Sequence, residues 1–449
     1  MSDQFGAVID RVRDRFDPDP DERARLEQAA DALRARARRG VSELPVSADV
    51  VQVGSTARET WTSGDRDIDV FVRFPPALSR SALETHGLAV GWSVLPDGRE
   101  EYAEHPYVTG EYDGFAVDVV PCFAVESATE IQSAVDRTPF HNAYVSERLD
   151  SELAGEVRLA KGFCKAIGVY GSDLRTKGLS GYCTELLVIE YGGFEAFCQA
   201  VADWKLPVAL DPESHGTETF DDPLVVIDPT DPTRNVASVC STTNVARLIH
   251  HTRALVSDPS VDRFDPAEPE PLTTAAYSAH IERRGTIPVA LRFDAPSIVD
   301  DQLYPQLERS LEGLHAALER HGFEPIRATT FADETAVLFV ECERATLPAI
   351  ERHTGPPVDV GSHAADFVEK YADSDAYGPF IDGNRYVAER PREIQTIDAL
   401  IEAKLFSIKL GAAVKRTLKS EYELLVGPAT TALLPEFEGA LARYFSPRP

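Results

Sequence analysis

The chain has 449 residues, 43% of them hydrophobic, with 45 basic against 74 acidic residues and a formal net charge of −29. That length exceeds a single compact core, so about three domains are expected, and no apolar run approaches the ~18–20 residues of a membrane span. Taken alone, the negative charge opposes contact with nucleic acid, because phosphate binding rests on positive charge.

The N-terminal stretch MSDQFGAVIDRVRDRF is charged and amphipathic, unlike a secretory signal. Residues 20–39 read as a helix with Asp19 as its N-cap and Gly40 as its stop. ADVVQVG (48–54) alternates as a strand, STARETWTSG fits a short helix and turn, and DIDVFVRF (67–74) is a second strand. A helix follows near 79–90, then paired strands near 107–112 and 115–120 around the Asp113-Gly114 turn. Helical spacing returns over 149–168, over 183–203 with a break at Gly192-Gly193, and over 238–256. The Pro- and Asp-rich stretch 258–271 marks a boundary. Beyond it, TIPVALRFDAP and TAVLFVECER read as strands around an amphipathic helix at 302–322, which suggests a small RNA-recognition-like α+β module. The block 393–420 is helical. The predicted class is α+β and multidomain, divided at 1–148, 149–257 and 258–449. The six cysteines (Cys122, Cys164, Cys183, Cys198, Cys240, Cys342) form no CxxC pair and sit in apolar contexts, so they read as reduced, buried thiols of a cytoplasmic protein.

The chemistry concentrates in Val53-Gly54-Ser55 and Asp67-Ile68-Asp69. Residues two apart on a strand share a face, which places Asp67 and Asp69 side by side with Cα atoms about 6–7 Å apart. Carboxylates that close repel unless a cation intervenes, and two Mg²⁺ ions, which prefer oxygen ligands, resolve the repulsion. Asp118, the one acid at an apolar position of the strand after Gly114, is the candidate third carboxylate. Asp67 and Asp69 are expected to bridge the ions, with Asp118 on the ion that activates an attacking 3′-hydroxyl. Gly54 permits close backbone approach to phosphate, and Ser55 either caps a helix or donates to a phosphate oxygen. Arg58 either reaches a phosphate or pairs with Glu59 or Asp65.

The charge has its own pattern. There are nine lysines against thirty-six arginines, and acids are spread through every segment. That is the surface of a protein adapted to high salt, where excess carboxylates hold water. Eight of the nine lysines cluster, as Lys161, Lys165, Lys177 with nearby Lys205, and as Lys404, Lys409, Lys415, Lys419. Lys161 and Lys165 stand one helical turn apart and can face one anion. The second cluster, with Arg416, is either a solvated helix face or a contact to RNA backbone. The adjacent His250 and His251 point in different directions on a helix and make no metal site.

Gly54-Ser55, the spacing to Asp67-x-Asp69 and the later Asp118 resemble the polymerase-β nucleotidyltransferase superfamily. VGSTARETWTSGDRDIDVFVRFP, TPFHNAYV, EVRLAKGFCKAIGVYGSDLRTKGLSGYCTELLVIEYGGF and DPTDPTRNVASVCSTTNVARLI resemble, in order, the archaeal class I CCA-adding enzymes, which are tRNA nucleotidyltransferases. The resemblance runs through roughly residues 20–255 and is weaker beyond, where AYGPFIDGNRYV carries it. It implies template-independent addition of C, C and A to the 3′ end of tRNA from CTP and ATP, with release of pyrophosphate, by a homodimer. It also implies that His141, Lys161 and Tyr170 hold the incoming triphosphate and sugar, and that Arg234 contacts the base. From the residues alone, His141 can cap a helix after Pro139, Tyr170 can be a core aromatic, and Arg234 can pair with Asp228 or Asp231. The alternatives are another nucleotidyltransferase on the same head, such as a poly(A) polymerase or oligoadenylate synthase, or an inactive head that serves as an RNA-binding scaffold.

Overall fold

Two helices, α1 (Asp3–Phe16) and α2 (Pro20–Ser42), open the chain in the computed structural model, which describes residues 3–266 and 269–449. The Asp19 carboxylate caps α2 by accepting from the Glu22 amide at 2.8 Å. Gly40 does not end this helix, as the sequence suggested. It is buried within the last turn, where an added Cβ would lie 2.4 Å from the Ser93 hydroxyl. Its smallness lets α2 approach a neighbouring helix.

The first sheet combines β1 (Asp49–Val53), β2 (Asp67–Phe74), β3 (Arg99–Tyr102), β4 (Pro106–Tyr112) and β5 (Phe115–Phe123) in the order β1-β2-β5-β4-β3. Only the β2–β5 pair is parallel. Between β1 and β2 lies the one-turn helix α3 (Gly54–Ala57), and between β2 and β3 lies α4 (Arg80–Val94). The period-2 pattern of β2 turns Ile68, Val70, Val72 and Phe74 into one core with Leu26 and Leu33 of α2 and Leu83 and Val90 of α4. Asp67 and Asp69 are therefore on the face that these helices do not cover.

The next segment supplies α5 (Thr138–Ser146), α6 (Ser151–Ala166), α7 (Gly181–Tyr191), α8 (Phe194–Ala202) and α9 (Thr242–Ser257), with the small sheet β6 (Val208–Leu210), β7 (Leu224–Asp228) and β8 (Asp231–Asn235). Gly192, at φ +78°, closes α7 as the Gly-Gly break predicted. Phe163, Phe194, Phe197 and Phe264 centre a core that also takes Phe5, Val8 and Val12 of α1. Head sheet and central helices thus belong to one compact unit, Met1–Ala267 with Pro449.

Glu268–Arg448 forms the second unit. The division falls inside the predicted boundary stretch, of which residues 267 and 268 lie outside the described residues. Its elements are α10 (Thr274–Arg284), β9 (Ile287–Asp294), α11 (Asp300–His321), β10 (Pro325–Ala332), β11 (Thr335–Cys342), β12 (Ile350–Pro357), α12 (Gly361–Ala372), β13 (Tyr377–Asp382), β14 (Arg385–Pro391), α13 (Ile397–Lys404), α14 (Ala412–Ser420), β15 (Glu423–Val426) and α15 (Leu434–Phe445). An antiparallel sheet, β10-β11-β9-β15, packs Val289, Leu291, Leu338 and Val340 against Leu307, Leu314 and Leu318 of α11. A smaller sheet runs β12-β14-β13. All six cysteines are buried and free. Among the described residues no helix is long and apolar enough to cross a membrane.

Candidate active site

Parallel pairing of β2 with β5 sets Asp69 opposite Asp118 and Asp67 opposite Ala116. Directly paired residues share a face, so the three acids sit on one surface of the sheet. Asp67 is exposed, whereas Asp69 and Asp118 are half-buried. Burial, then the neighbouring Asp118 and Asp67, raise the Asp69 pKa to about 7. Burial, Asp65 and Asp118 likewise raise that of Asp67. Burial leads both shifts, the neighbouring carboxylates add to it, and Arg58 and Lys165 only partly oppose them. Among the described residues no group of three or more His, Cys, Asp or Glu side chains is gathered closely enough to hold a metal ion as placed. The donors are hard oxygens under mutual repulsion, which fits a hard divalent cation.

Gly54 sits directly against this pair. Its φ is +81°, and an added Cβ would stand 2.1 Å from Asp69 Oδ2. Only glycine satisfies both conditions. Ser55 follows in the first turn of α3, and Arg58 caps the other end of that helix rather than lying within it.

The cations of the site are organised by two buried carboxylates, of which the sequence offered Asp228 as a partner of Arg234 and gave no sign of Glu185. The first is Glu185 on α7. Arg58 pairs with it through Nε and Nη2 at 3.0 and 3.2 Å, and through Nη1 with Asn142 Oδ1 at 3.0 Å. Lys161 donates to Glu185 Oε1 at 3.0 Å, to the Thr60 carbonyl at 3.0 Å and to the Thr60 hydroxyl at 3.1 Å. Those three bonds use the full donor capacity of an ammonium. Burial and the Arg58 charge push the Lys161 pKa down against the pull of Glu185, while Glu185 itself is held low by Lys161 and Arg58 against its own burial. Lys165, one turn on, faces a different partner: Asp65, at 2.7 Å. The two lysines therefore do not converge on one point, because each is claimed by a separate acid.

The second carboxylate is Asp228, at the end of β7. Its Oδ2 accepts from His141 Nε2 and from Arg234 Nη1, both at 2.8 Å. The Tyr182 ring stacks on His141 with centroids 4.0 Å apart and planes inclined by 15°. Tyr170 lies next to the start of α7, where a Cβ on Gly181 would be 3.0 Å from its hydroxyl. Burial, then Glu185 and Asp65, push the Tyr170 phenol well above its ordinary range, so it is a neutral donor. Lys165 Nζ stands 5.3 Å from the centre of its ring. In the second unit, Lys415 donates to the Phe406 carbonyl at 3.0 Å, which fixes one member of the second basic cluster on its own chain. The His250 and His251 rings lie at 89° to each other.

A row of carboxylates beside a glycine at positive φ is the setting in which the chain's relatives are met. A nucleotidyltransferase domain family matches residues 34–141, the second domain of tRNA nucleotidyltransferases matches 155–265, and the C-terminal domain of CCA-adding enzymes matches 284–427. The chain is 57% identical to the CCA-adding enzyme of Haloarcula marismortui over 100% of both chains. It is 58% identical to that of Halobacterium salinarum, over 98% of this chain and 99% of the relative, and 42% identical to that of Methanoregula boonei, over 88% and 87%. A solved structure of Cid1, an RNA terminal uridylyl transferase, superposes with a TM-score of 0.47 at 17% identity, covering 59% of this chain and 99% of that one. The chain belongs to the CCA-adding enzyme family and is a tRNA nucleotidyltransferase. Nucleotidyltransferases generally use a divalent metal.

Proposed function

We propose that Asp67, Asp69 and Asp118 carry the nucleotidyl transfer by which this CCA-adding enzyme builds the 3′ end of tRNA from CTP and ATP, with Mg²⁺ as the metal. The observation that supports this most is the pairing of Asp69 with Asp118 across β2 and β5, with Asp67 on the same face. Asp67, Asp69 and Asp118 would hold two Mg²⁺ ions, whose Lewis acidity would activate the 3′-hydroxyl and neutralise charge on the triphosphate. In each cycle the terminal 3′-hydroxyl gives up its proton to solvent, its oxygen attacks the α-phosphorus, the bond to the β-phosphate breaks, and pyrophosphate leaves.

The chain's own residues bind and orient. Gly54 and Ser55 bring backbone and hydroxyl donors to the phosphates, with Arg58 and Lys161 behind them, stiffening the loop through Glu185 and Thr60. His141 and Tyr170 contact the sugar and phosphates. Arg234 presents a planar donor fork to acceptors on C and A. The head (1–148) carries the chemistry, the central segment (149–257) holds the nucleotide, and 258–449 binds tRNA. We further propose a homodimer, a cytoplasmic setting and a surface adapted to high salt.

The test is incorporation of CTP and ATP, supplied singly, into tRNA lacking CCA and into tRNA lacking only its terminal A. C is expected on the first and a single A on the second. Asp69→Ala should abolish both while tRNA affinity is retained. Unlimited A addition to any RNA would favour a poly(A) polymerase instead, and activity surviving Asp69→Ala would refute the metal assignment.

A further inference from the structure

Asp228 is fully buried, at the C-terminal end of an apolar strand. A carboxylate there needs strong partners to remain ionised. Its Oδ1 accepts from the Thr230 amide at 2.9 Å, the Thr230 hydroxyl at 2.8 Å and the Tyr182 hydroxyl at 3.3 Å. Its Oδ2 accepts from His141 Nε2 and Arg234 Nη1, as above. Burial raises its pKa, but the bond and charge of His141 and the two Thr230 bonds outweigh that and hold it far below the usual carboxylate range. Asp228 is consequently an acceptor only.

Two consequences follow for the groups it holds. Nε2 of His141 must carry hydrogen, which fixes the ring's orientation and turns Nδ1 away from the carboxylate. Arg234 is anchored through Nη1, so the opposite edge of its guanidinium points outward. Arg234 is 36% exposed and His141 13%, against 0% for Asp228, so the accessible guanidinium and the largely buried imidazole both rest on a fully buried carboxylate. The stacked Tyr182 ring fixes His141 from its face.

We infer that Asp228 is a positioning residue that locks His141 and Arg234 into one rigid nucleotide-reading unit, so that the sugar–phosphate contact and the base contact strengthen and weaken together. This rests on the proposed roles of His141 and Arg234. Because the carboxylate acts on both groups and touches neither reacting atom, its loss weakens CTP and ATP alike and acts on KM more than on kcat. A merely local role, shaping the 228–231 turn, would lower stability without moving KM.

The full-length protein is assayed for KM and kcat with CTP on tRNA lacking CCA and with ATP on tRNA lacking the terminal A. Asp228→Asn, isosteric but uncharged, is expected to raise both KM values by about tenfold or more, as loss of a charge-assisted hydrogen bond does, with the smaller change in kcat. A cycle of His141→Ala, Arg234→Ala and the double variant, which leaves Asp228 in place, should be non-additive. Unchanged KM in a folded Asp228→Asn overturns the inference, as does strict additivity in the cycle should Asp228→Asn fail to fold. If His141→Ala and Arg234→Ala themselves leave KM unmoved, the nucleotide-contact reading falls, and this inference with it.

Discussion

Asp69 gives the metal-free protein an unusual dependence on pH. Its pKa is raised to about 7 in the fold, by burial first and then by Asp118 and Asp67, whereas an unfolded chain ionises it near 3.9. Between those values the folded state holds a proton that the unfolded chain has released. Stability therefore falls as pH rises through that window, and the full penalty applies above about 7. Asp69→Asn removes the penalty. The variant should be more stable than the parent at pH 8 without metal, by on the order of a few kcal/mol, and so melt higher, with a smaller gain at pH 5. Millimolar Mg²⁺ should stabilise the parent and close the gap. Equal melting at pH 8 without metal would show that the carboxylates are not crowded. Glu185 is the opposite case, since it is buried with Arg58 and Lys161 on it. Glu185→Gln leaves those cations uncompensated, and breaking a buried pair from one side costs about 3–5 kcal/mol. Urea midpoints would measure it, and a loss under about 1 kcal/mol would mean water reaches the cluster.

At the scale of elements, close approach is bought with small residues. Gly87 and Gly91 lie one turn apart on α4, and a Cβ at either would come within 2.5 Å of Pro121 on β5 or of Val108 on β4. That helix backs the strands that carry the acids. Gly87→Leu should push α4 off the sheet and cost about 1–3 kcal/mol or more, seen as a lower Tm and slower incorporation together. Full activity in that variant would separate helix seating from carboxylate placement. The same elements show what was legible in the sequence. The DxD strand, its partner hairpin and the Asp19 cap were readable because each is a local pattern of period 2, of turn chemistry or of capping. The role of Gly40 was not, since a glycine that ends a helix and one that admits Ser93 look alike along the chain. Glu185 was also hidden, whereas the Arg234–Asp228 pair was one that the sequence offered. Both acids sit in apolar runs, CTELLVIEY and LVVID, and although Arg234 lies only 6 positions from Asp228, Arg58 lies 127 from Glu185 and His141 lies 87 from Asp228. Periodicity says that such an acid is buried and nothing about which base meets it.

For the whole molecule, the governing number is the excess of 74 acids over 45 bases. Even if every base neutralised one acid, 29 carboxylates would remain uncompensated. Exposed pairs such as Arg148–Glu213 and Arg263–Asp258 contribute little each, about 0–1 kcal/mol, and weaken in salt. The unpaired excess acts in the other direction, because its repulsion burdens the compact state more than the expanded chain. Salt shortens the screening length from about 10 Å at 0.1 M to about 3 Å at 1 M, which reaches the many long-range repulsions before it fully dissolves the close pairs. Tm should therefore rise steadily as KCl increases from 0.1 to 2 M. The gain should shrink in a variant with several surface Asp or Glu residues changed to Asn or Gln. A flat or falling Tm would mean that attraction within pairs outweighs the excess, and the acidic surface would need another explanation. The same screening weakens phosphate contacts to tRNA. Stability and substrate affinity should accordingly respond to KCl in opposite directions, and incorporation should peak at an intermediate concentration rather than follow either alone.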